Sequence, residues 1–125
     1  MGLSWGGPAA CGLSYVSFDC LRTKIAKAGV ATSATKGHAP SSLESADLET
    51  LFSLLDRDDP IRWFVGQGEY GVLDVEQCVV LARRLEKVLE DLVMGNIADD
   101  CLDWVDWLHV EVVGAVRNNQ RITWG

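Results

Sequence analysis

Residues 74–93, with the sequence DVEQCVVLARRLEKVLEDLV, decide the fold because they carry the clearest helical pattern in the chain. Asp74 and Gln77 have the three-residue spacing of a capping box, and Gly95 follows the last periodic residue. At about 100° per residue, the apolar side chains fall on one face and the charged ones on the opposite face. The apolar face consists of Cys78, Leu81, Ala82, Leu85, Leu89 and Leu92. This pattern predicts an amphipathic helix over residues 75–93.

Three other segments have the same periodicity, and we expect helices over residues 15–28, 43–55 and 98–117. The first of these is expected to end at Gly29, because glycine suits the left-handed conformation that closes many helices. The last is expected to bury a stripe formed by Cys101, Val105, Leu108, Val112 and Val116.

Residues 61–73 have a different character from these helical segments. Two apolar runs flank Gly66-Gln67-Gly68, which predicts a small β-hairpin between the second and third helices. An isolated hairpin is only marginally stable in water, so residues 121–124 are a candidate for an additional strand.

The length of 125 residues is typical of one domain, and we expect a single domain over residues 1–125. Its predicted fold is mainly α (α+β), with a compact four-helix core and a hairpin lobe at residues 61–73. The glycine-rich residues 1–13 are expected to be irregular, with a short strand near residues 3–5, and residues 30–42 are expected to form a mobile loop.

The net charge of −7 is unevenly distributed along the chain. Residues 1–40 hold four basic side chains and one acidic one, whereas residues 41–125 hold seven basic and seventeen acidic ones. Such a charge disfavours direct binding to nucleic acid or to an anionic membrane, and it favours a protein partner with a basic surface. The chain has no visible signal sequence and no C-x-x-C pair, so we expect a cytoplasmic protein with reduced thiols.

The helix predicted over residues 98–117 has a distinctive outward side. Asp99, Asp103 and Asp106 share a face opposite the apolar stripe, and Trp107 and Val110 lie on the same side. Tryptophan is among the residues that dominate interface energetics, so this combination predicts a partner-binding surface. Further candidate contacts come from the hairpin lobe: Trp63, Phe64 and Tyr70. Two alternatives remain open, since Trp107 is also suited to being covered by the chain's own N-terminal segment or hairpin, or by a second copy in a homodimer.

Enzymatic chemistry has little support in the sequence. Asp106 and His109 have the spacing found in dinuclear carboxylate sites, but such sites need a matching pair on another helix, and the chain contains no second Asp/Glu-x-x-His. A calcium loop before the helix at 75–93 is also disfavoured, because Gln77 stands where a bidentate glutamate is required. We therefore expect a non-enzymatic protein without catalytic residues, cofactor or metal. A small metal-dependent or Cys/His-dependent enzyme and a carboxylate-based mimic of nucleic acid are the rival hypotheses.

Two segments of the chain carry a resemblance to known sequences. Residues 14–22 follow the pattern Ser-Tyr-x-x-Phe-x-x-x-Arg, and residues 71–85 combine Gly-x-Leu, a cysteine and Leu-Ala-x-Arg-Leu. In these features the chain resembles small uncharacterised proteins of bacteria and their phages, although the insert Pro60–Tyr70 departs from the pattern. The resemblance implies no established reaction. It favours a phage or mobile-element protein that inhibits another protein, such as an anti-defence, anti-CRISPR or immunity protein.

Overall fold

The computed structural model describes the backbone of residues 2–6, 12–32, 46–67, 71–95 and 99–124, and the side chains of residues 18–32, 46–67, 71–94 and 102–124. This part of the chain is mainly helical and includes a small antiparallel sheet. In chain order its elements are β1 (Gly2–Gly6), β2 (Gly12–Ser14), α1 (Tyr15–Ala31), α2 (Leu48–Leu54), α3 (Ile61–Val65), β3 (Gly71–Leu73), α4 (Val75–Gly95), α5 (Asp99–Arg117) and β4 (Ile122–Trp124).

The two long C-terminal helices agree with the sequence pattern. The capping box of α4 is formed as predicted, because the Asp74 carboxylate accepts from the Gln77 N–H at 2.8 Å and the Gln77 side-chain oxygen accepts from the Asp74 N–H at 3.0 Å. Helix α5 ends at Arg117, and Asn119 follows with a φ of 51°, a left-handed conformation that asparagine tolerates. The helices predicted over residues 75–93 and 98–117 are thus confirmed within two residues.

Helix α1 is longer than expected. It continues through Gly29 to Ala31, so the loop predicted to begin at Val30 is wrong for its first two residues, and residues 33–42 of that loop lie outside the described residues. The physical reason is a close approach between elements. A Cβ at Gly29 would lie 2.8 Å from the Leu55 side chain and 2.9 Å from that of Ile61, so this glycine permits packing and does not end the helix.

Helix α2 begins after Asp47, whose carboxylate accepts from the Thr50 N–H at 2.8 Å. Hydrogen bonding by Thr50, from its side chain first and from this backbone N–H second, lowers the pKa of Asp47 below its ordinary value. The helix predicted over residues 43–55 is therefore present from residue 48 to residue 54, and residues 43–45 lie outside the described residues.

The predicted hairpin over residues 61–73 is wrong, because residues 61–65 form helix α3. Pro60 precedes this helix with a φ of −58°, and the Asp59 carboxylate accepts from the Ile61 N–H at 3.0 Å. A proline and an acidic side chain at this point favour the first turn of a helix over a strand.

The strands instead come from distant parts of the chain. Strand β3 pairs with β4, and β4 also pairs with β1, so the sheet has the order β2-β1-β4-β3 with all pairs antiparallel. The expectation that residues 121–124 contribute a strand is confirmed for Ile122–Trp124, and the strand expected near residues 3–5 is confirmed as part of β1. The irregular segment expected over residues 1–13 is wrong for Gly12 and Leu13, which belong to β2, and residues 7–11 lie outside the described residues.

The buried core draws on more than four helices. Its residues come from α1 to α5 and from strands β3 and β4. The predicted stripes are largely confirmed: the side chains of Cys78, Leu81, Leu85, Leu92, Val105, Leu108 and Val112 are buried, and those of Ala82, Leu89 and Val116 are partly buried. The side chain of Cys101 lies outside the described residues. At one end of the core, the rings of Phe18, Phe64 and Trp124 contact one another with centroid distances of 5.3–6.0 Å. None of the helices described is long and apolar enough to cross a lipid bilayer.

Two residues of the Ser-Tyr-x-x-Phe-x-x-x-Arg pattern have structural roles in this core. Phe18 is fully buried, and the Arg22 guanidinium donates to the Val65 carbonyl at the end of α3, with its Nε 3.2 Å from that oxygen. A C-terminal helix carbonyl lacks an intrahelical partner, so this contact satisfies it and joins α1 to α3.

Candidate functional site

Helix α5 presents the predicted acidic surface to solvent. We use the term acidic face for Asp103, Asp106, Trp107 and Val110, whose spacing of three, four and seven residues keeps them on one side of the helix. The side chains of Asp103 and Asp106 are exposed, and Val110 is 62% exposed. The remaining predicted member, Asp99, starts the helix, and its side chain lies outside the described residues.

The carboxylates of the acidic face are not neutralised by the part of the chain that the structure describes. Asp103 and Asp106 form no ion pair or side-chain hydrogen bond with a described residue. The sequence from residue 88 to residue 116 contains seven acidic residues and no lysine or arginine. Within the described residues, no basic side chain therefore offsets the negative potential of this face.

Trp107 is neither fully exposed, as a partner contact would be, nor fully covered by the chain itself. Its side chain packs against the hydrophobic core and is partly buried, while a part of it remains accessible. Glu111, one turn further along α5, is only 5% exposed and so belongs to the inner side of the helix. The acidic face therefore includes only some of the acidic residues in this segment.

The partner contacts predicted within residues 61–73 differ in how exposed the structure leaves them. Phe64 is 0% exposed because its ring lies in the aromatic cluster with Phe18 and Trp124, so the prediction that it contacts a partner is wrong. Trp63 is partly buried against the core, and Tyr70 lies outside the described residues. Sequence reasoning took these aromatic residues as a surface lobe because it assigned them to a hairpin.

The described side chains of cysteine and histidine are those of Cys20, Cys78 and His109. Cys78 is fully buried, and this burial, followed by the charge of Asp74, raises the pKa of its thiol to about 11. Cys20 is exposed, and His109 is partly buried. Within the described ranges, no three or more His, Cys, Asp or Glu side chains are grouped so that they could hold a metal ion.

A second surface feature was missed by sequence reasoning. A cleft of about 980 Å³ lies between the end of α1, helix α2, the segment joining α2 to α3, and helix α4. We call it the charged cleft; its lining includes four basic residues (Arg57, Arg62, Arg84 and Lys87) and three acidic ones (Asp56, Asp58 and Asp59). The run Asp56-Arg57-Asp58-Asp59 was the available signal in the sequence.

The floor of the charged cleft is a buried ion pair. The Asp59 side chain is 2% exposed and accepts from both Nε and Nη2 of Arg84, each at 3.1 Å. Nη2 of Arg84 also donates to the Gly29 carbonyl at 3.1 Å and to the Thr32 hydroxyl at 3.3 Å. These bonds satisfy both charges internally, so this pair shapes the cleft without offering a free charge.

The wall of the charged cleft contains three basic side chains that can still pair with an anion. The Arg62 guanidinium lies 4.2 Å above the Phe52 ring and donates from Nη1 to the carbonyls of Phe52 and Leu55 at 3.3 and 3.2 Å. Arg57 and Lys87 are exposed. Among the described residues, none of these three cations takes part in an ion pair.

The acidic face and the charged cleft are two separate candidates for molecular recognition. One is a convex helical surface with exposed carboxylates, and the other is a concave surface with exposed cations. The chain matches no protein-family model, and no curated protein or solved structure matches it either. The chemistry of these two surfaces is therefore the basis for assigning a function.

Proposed function

We propose that this chain is a non-enzymatic binding protein that covers a basic surface of another protein with the acidic face of α5. The observation that carries the proposal is the exposure of Val110, at 62%, on the same side of the helix as Asp103 and Asp106, which form no ion pair with any residue that the structure describes. An interface combines an apolar centre with charged side chains around it, and the acidic face places both kinds of side chain on one side of α5.

The two kinds of side chain contribute in different ways. Burial of an aliphatic side chain such as that of Val110 stabilises a complex by an amount on the order of 1–2 kcal/mol. The carboxylates of Asp103 and Asp106 attract a basic partner during encounter and determine its orientation, so they act mainly on the association rate. The accessible part of Trp107 extends the apolar centre of this surface.

The resemblance to small proteins of bacteria and phages supports an inhibitory role. In that setting, an acidic protein that covers the basic surface of another protein blocks whatever that surface binds. An anti-defence, anti-CRISPR or immunity protein is the class that combines these properties. Mimicry of nucleic acid is the form this activity takes when the covered surface is itself a binding site for phosphate backbones.

Matched charge reversals test the proposal. Asp103→Lys/Asp106→Lys alters the acidic face, and Glu86→Lys/Glu90→Lys makes the same change in net charge at two exposed positions of α4. Proteins captured from the native host by the wild-type chain are compared with those captured by each variant, after circular dichroism has verified folding. We expect a basic partner that the α4 variant retains and the α5 variant loses.

The binding of the purified partner to the wild-type chain and to each variant is then measured. We expect the association rate to fall with rising salt, and to fall at least about tenfold on reversal of the α5 charges. Equal losses in the two variants would indicate an effect of net charge alone, and equal retention would remove the acidic face from the interface. Light scattering of the free protein at several concentrations distinguishes a second copy of the chain from a foreign partner.

A further inference from the structure

The charged cleft has a local charge opposite to that of the protein around it. The region from residue 41 to residue 125 carries seventeen acidic and seven basic side chains, yet the cleft concentrates four of those seven basic residues in one concavity. Its volume of about 980 Å³ is large enough to hold a small molecule in an open cleft. Cations collected in a concave site raise the local concentration of anions.

The charges that line the cleft differ in their availability. Asp59 and Arg84 neutralise each other at the floor, and Asp56 already interacts with other parts of the chain. Arg57 and Lys87 remain as exposed cations, and Arg62 keeps its positive charge although it donates to two carbonyls. Against these three cations, Asp58 is the exposed acidic residue of the lining. With four basic and three acidic residues, the lining of the cleft has a formal charge of +1.

The wall of the cleft also has an apolar component. Phe52, Leu55 and Pro60 belong to the lining, and the Phe52 ring is held in place beneath the Arg62 guanidinium at 4.2 Å. A site with fixed cations beside an aromatic and aliphatic wall fits a ligand that has an acidic group on an organic body. Water can hydrate the cations, but only a ligand with an apolar part gains hydrophobic stabilisation from the apolar wall.

We propose that the charged cleft binds a small organic anion whose phosphate or carboxylate group pairs with Arg57 and Lys87. The buried Asp59–Arg84 pair holds the segment that carries Arg57 against α4, which carries Lys87, so the backbone positions of the two cations are fixed before the ligand arrives. Such preorganisation reduces the entropy lost on binding. This site lies on α2, α3 and α4 and is independent of the acidic face on α5.

Backbone amide NMR titrations test this proposal with defined probes. Pyrophosphate represents the phosphate group and citrate represents the carboxylate group, and sodium chloride at equal ionic strength serves as the reference. We expect saturable shifts concentrated on residues 53–62 and 84–87 with a Kd of about 1 mM or tighter for at least one probe. The probe with the tighter Kd identifies which acidic group the cleft prefers.

A matched pair of double variants makes the result specific. Arg57→Gln/Lys87→Gln removes two cations from the cleft, and Arg83→Gln/Arg117→Gln removes two exposed cations elsewhere. We expect the first variant to weaken binding about tenfold or more, since a charge-assisted hydrogen bond contributes at least that factor, and the second to change it less than about twofold. Shifts spread over the whole surface, equal weakening in both variants, or an absence of saturation with both probes would overturn the proposal.

Discussion

Arg84 donates to both carboxylate oxygens of Asp59, from Nε and Nη2 and at 3.1 Å in each case. The same guanidinium donates to the Gly29 carbonyl at 3.1 Å, and the same carboxylate accepts from the Ile61 N–H at 3.0 Å. One ion pair therefore connects the end of α1 and the start of α3 to the middle of α4. Because Asp59 is almost fully buried, this connection is sensitive to the loss of either partner.

We expect Arg84→Met to lower the free energy of unfolding by about 3–5 kcal/mol, because it leaves the Asp59 carboxylate buried without a counter-charge. Urea denaturation followed by circular dichroism measures the change. The neighbouring Arg83 is exposed, and Arg83→Met is expected to change stability by less than about 0.5 kcal/mol.

The double variant Asp59→Asn/Arg84→Met completes a thermodynamic cycle for this pair. We expect it to be less destabilised than the sum of the two single variants, since it removes both charges together. An additive result would show that the two side chains act independently, contrary to the geometry.

Gly71 lies across the sheet from Trp124, and a Cβ at this position would overlap the indole ring. The indole has little room to move, because Trp124 is 4% exposed and contacts Phe18 and Phe64. We expect Gly71→Ala to lower the free energy of unfolding by roughly 1–3 kcal/mol. Val72→Ala, at the exposed neighbouring residue, is the control and should lower the free energy of unfolding much less. Similar losses of stability for the two variants in thermal unfolding would contradict the packing described.

The Gln67 side chain occupies the open edge of strand β3. Its amide oxygen accepts from the Val72 N–H at 2.9 Å, and its amide nitrogen donates to the carbonyls of Val72 at 2.8 Å and Trp63 at 2.7 Å. Since β3 is an outer strand of the sheet, these bonds satisfy backbone groups that another strand would otherwise bind.

We expect Gln67→Ala to lower stability by about 0.5–1.5 kcal/mol and to speed hydrogen exchange at the Val72 amide. Exchange at residues of α5 should change far less, and Gln120→Ala, at another exposed glutamine, serves as the control. Unchanged protection of the Val72 amide would show that this edge is satisfied in some other way.

Cys78 and Cys20 are expected to differ strongly in reactivity. The Cys78 thiol is buried with a pKa of about 11, whereas Cys20 is exposed, so alkylation at pH 8 followed by peptide mapping should modify Cys20 and leave Cys78 intact. Rapid modification of Cys78 in the folded protein would contradict its assigned position in the core.

The same burial has a consequence for stability at high pH. The ordinary pKa of the thiol is 9.0 and the folded value is about 11, so the folded state favours the neutral thiol. Its contribution to stability is complete below pH 9 and is lost as the pH rises towards 11. The stability difference between the wild type and Cys78→Ala should shrink over this interval, and a constant difference would contradict the raised pKa.

The parts of the fold that the sequence predicted are those fixed by local periodicity and capping. Helix α4 is the best example, because its apolar face and the capping box of Asp74 and Gln77 act within one element. The segment at residues 61–65 was misassigned because its apolar residues Ile61, Phe64 and Val65 suit a buried strand as well as a buried helix. The hydrogen bond from the Ile61 N–H to the Asp59 carboxylate, together with Pro60, favours the helix over the strand. Asp59 is itself held in place by Arg84, which is distant in sequence.

The same distinction applies to the candidate sites. The acidic face of α5 was predictable because Asp103, Asp106 and Val110 belong to one helix, whose outward side follows from its apolar stripe. The charged cleft was not predictable, since Arg57 and Lys87 are thirty residues apart in sequence and meet only through tertiary packing. Phe64 was misjudged for the same reason, because its burial depends on contacts with Phe18 and Trp124.

Site-specific photo-crosslinking tests the central claim, the binding of a basic protein by the acidic face, most directly. A photoreactive amino acid is placed at Val110, which is 62% exposed on α5, or at Val80, which is 43% exposed on α4, and the protein is irradiated in extracts of its host. We expect a covalent adduct with a basic protein from position 110, its loss on Asp103→Lys/Asp106→Lys, and little or none from position 80. Equal adducts from both positions, or an adduct at position 110 that persists after charge reversal, would contradict the account.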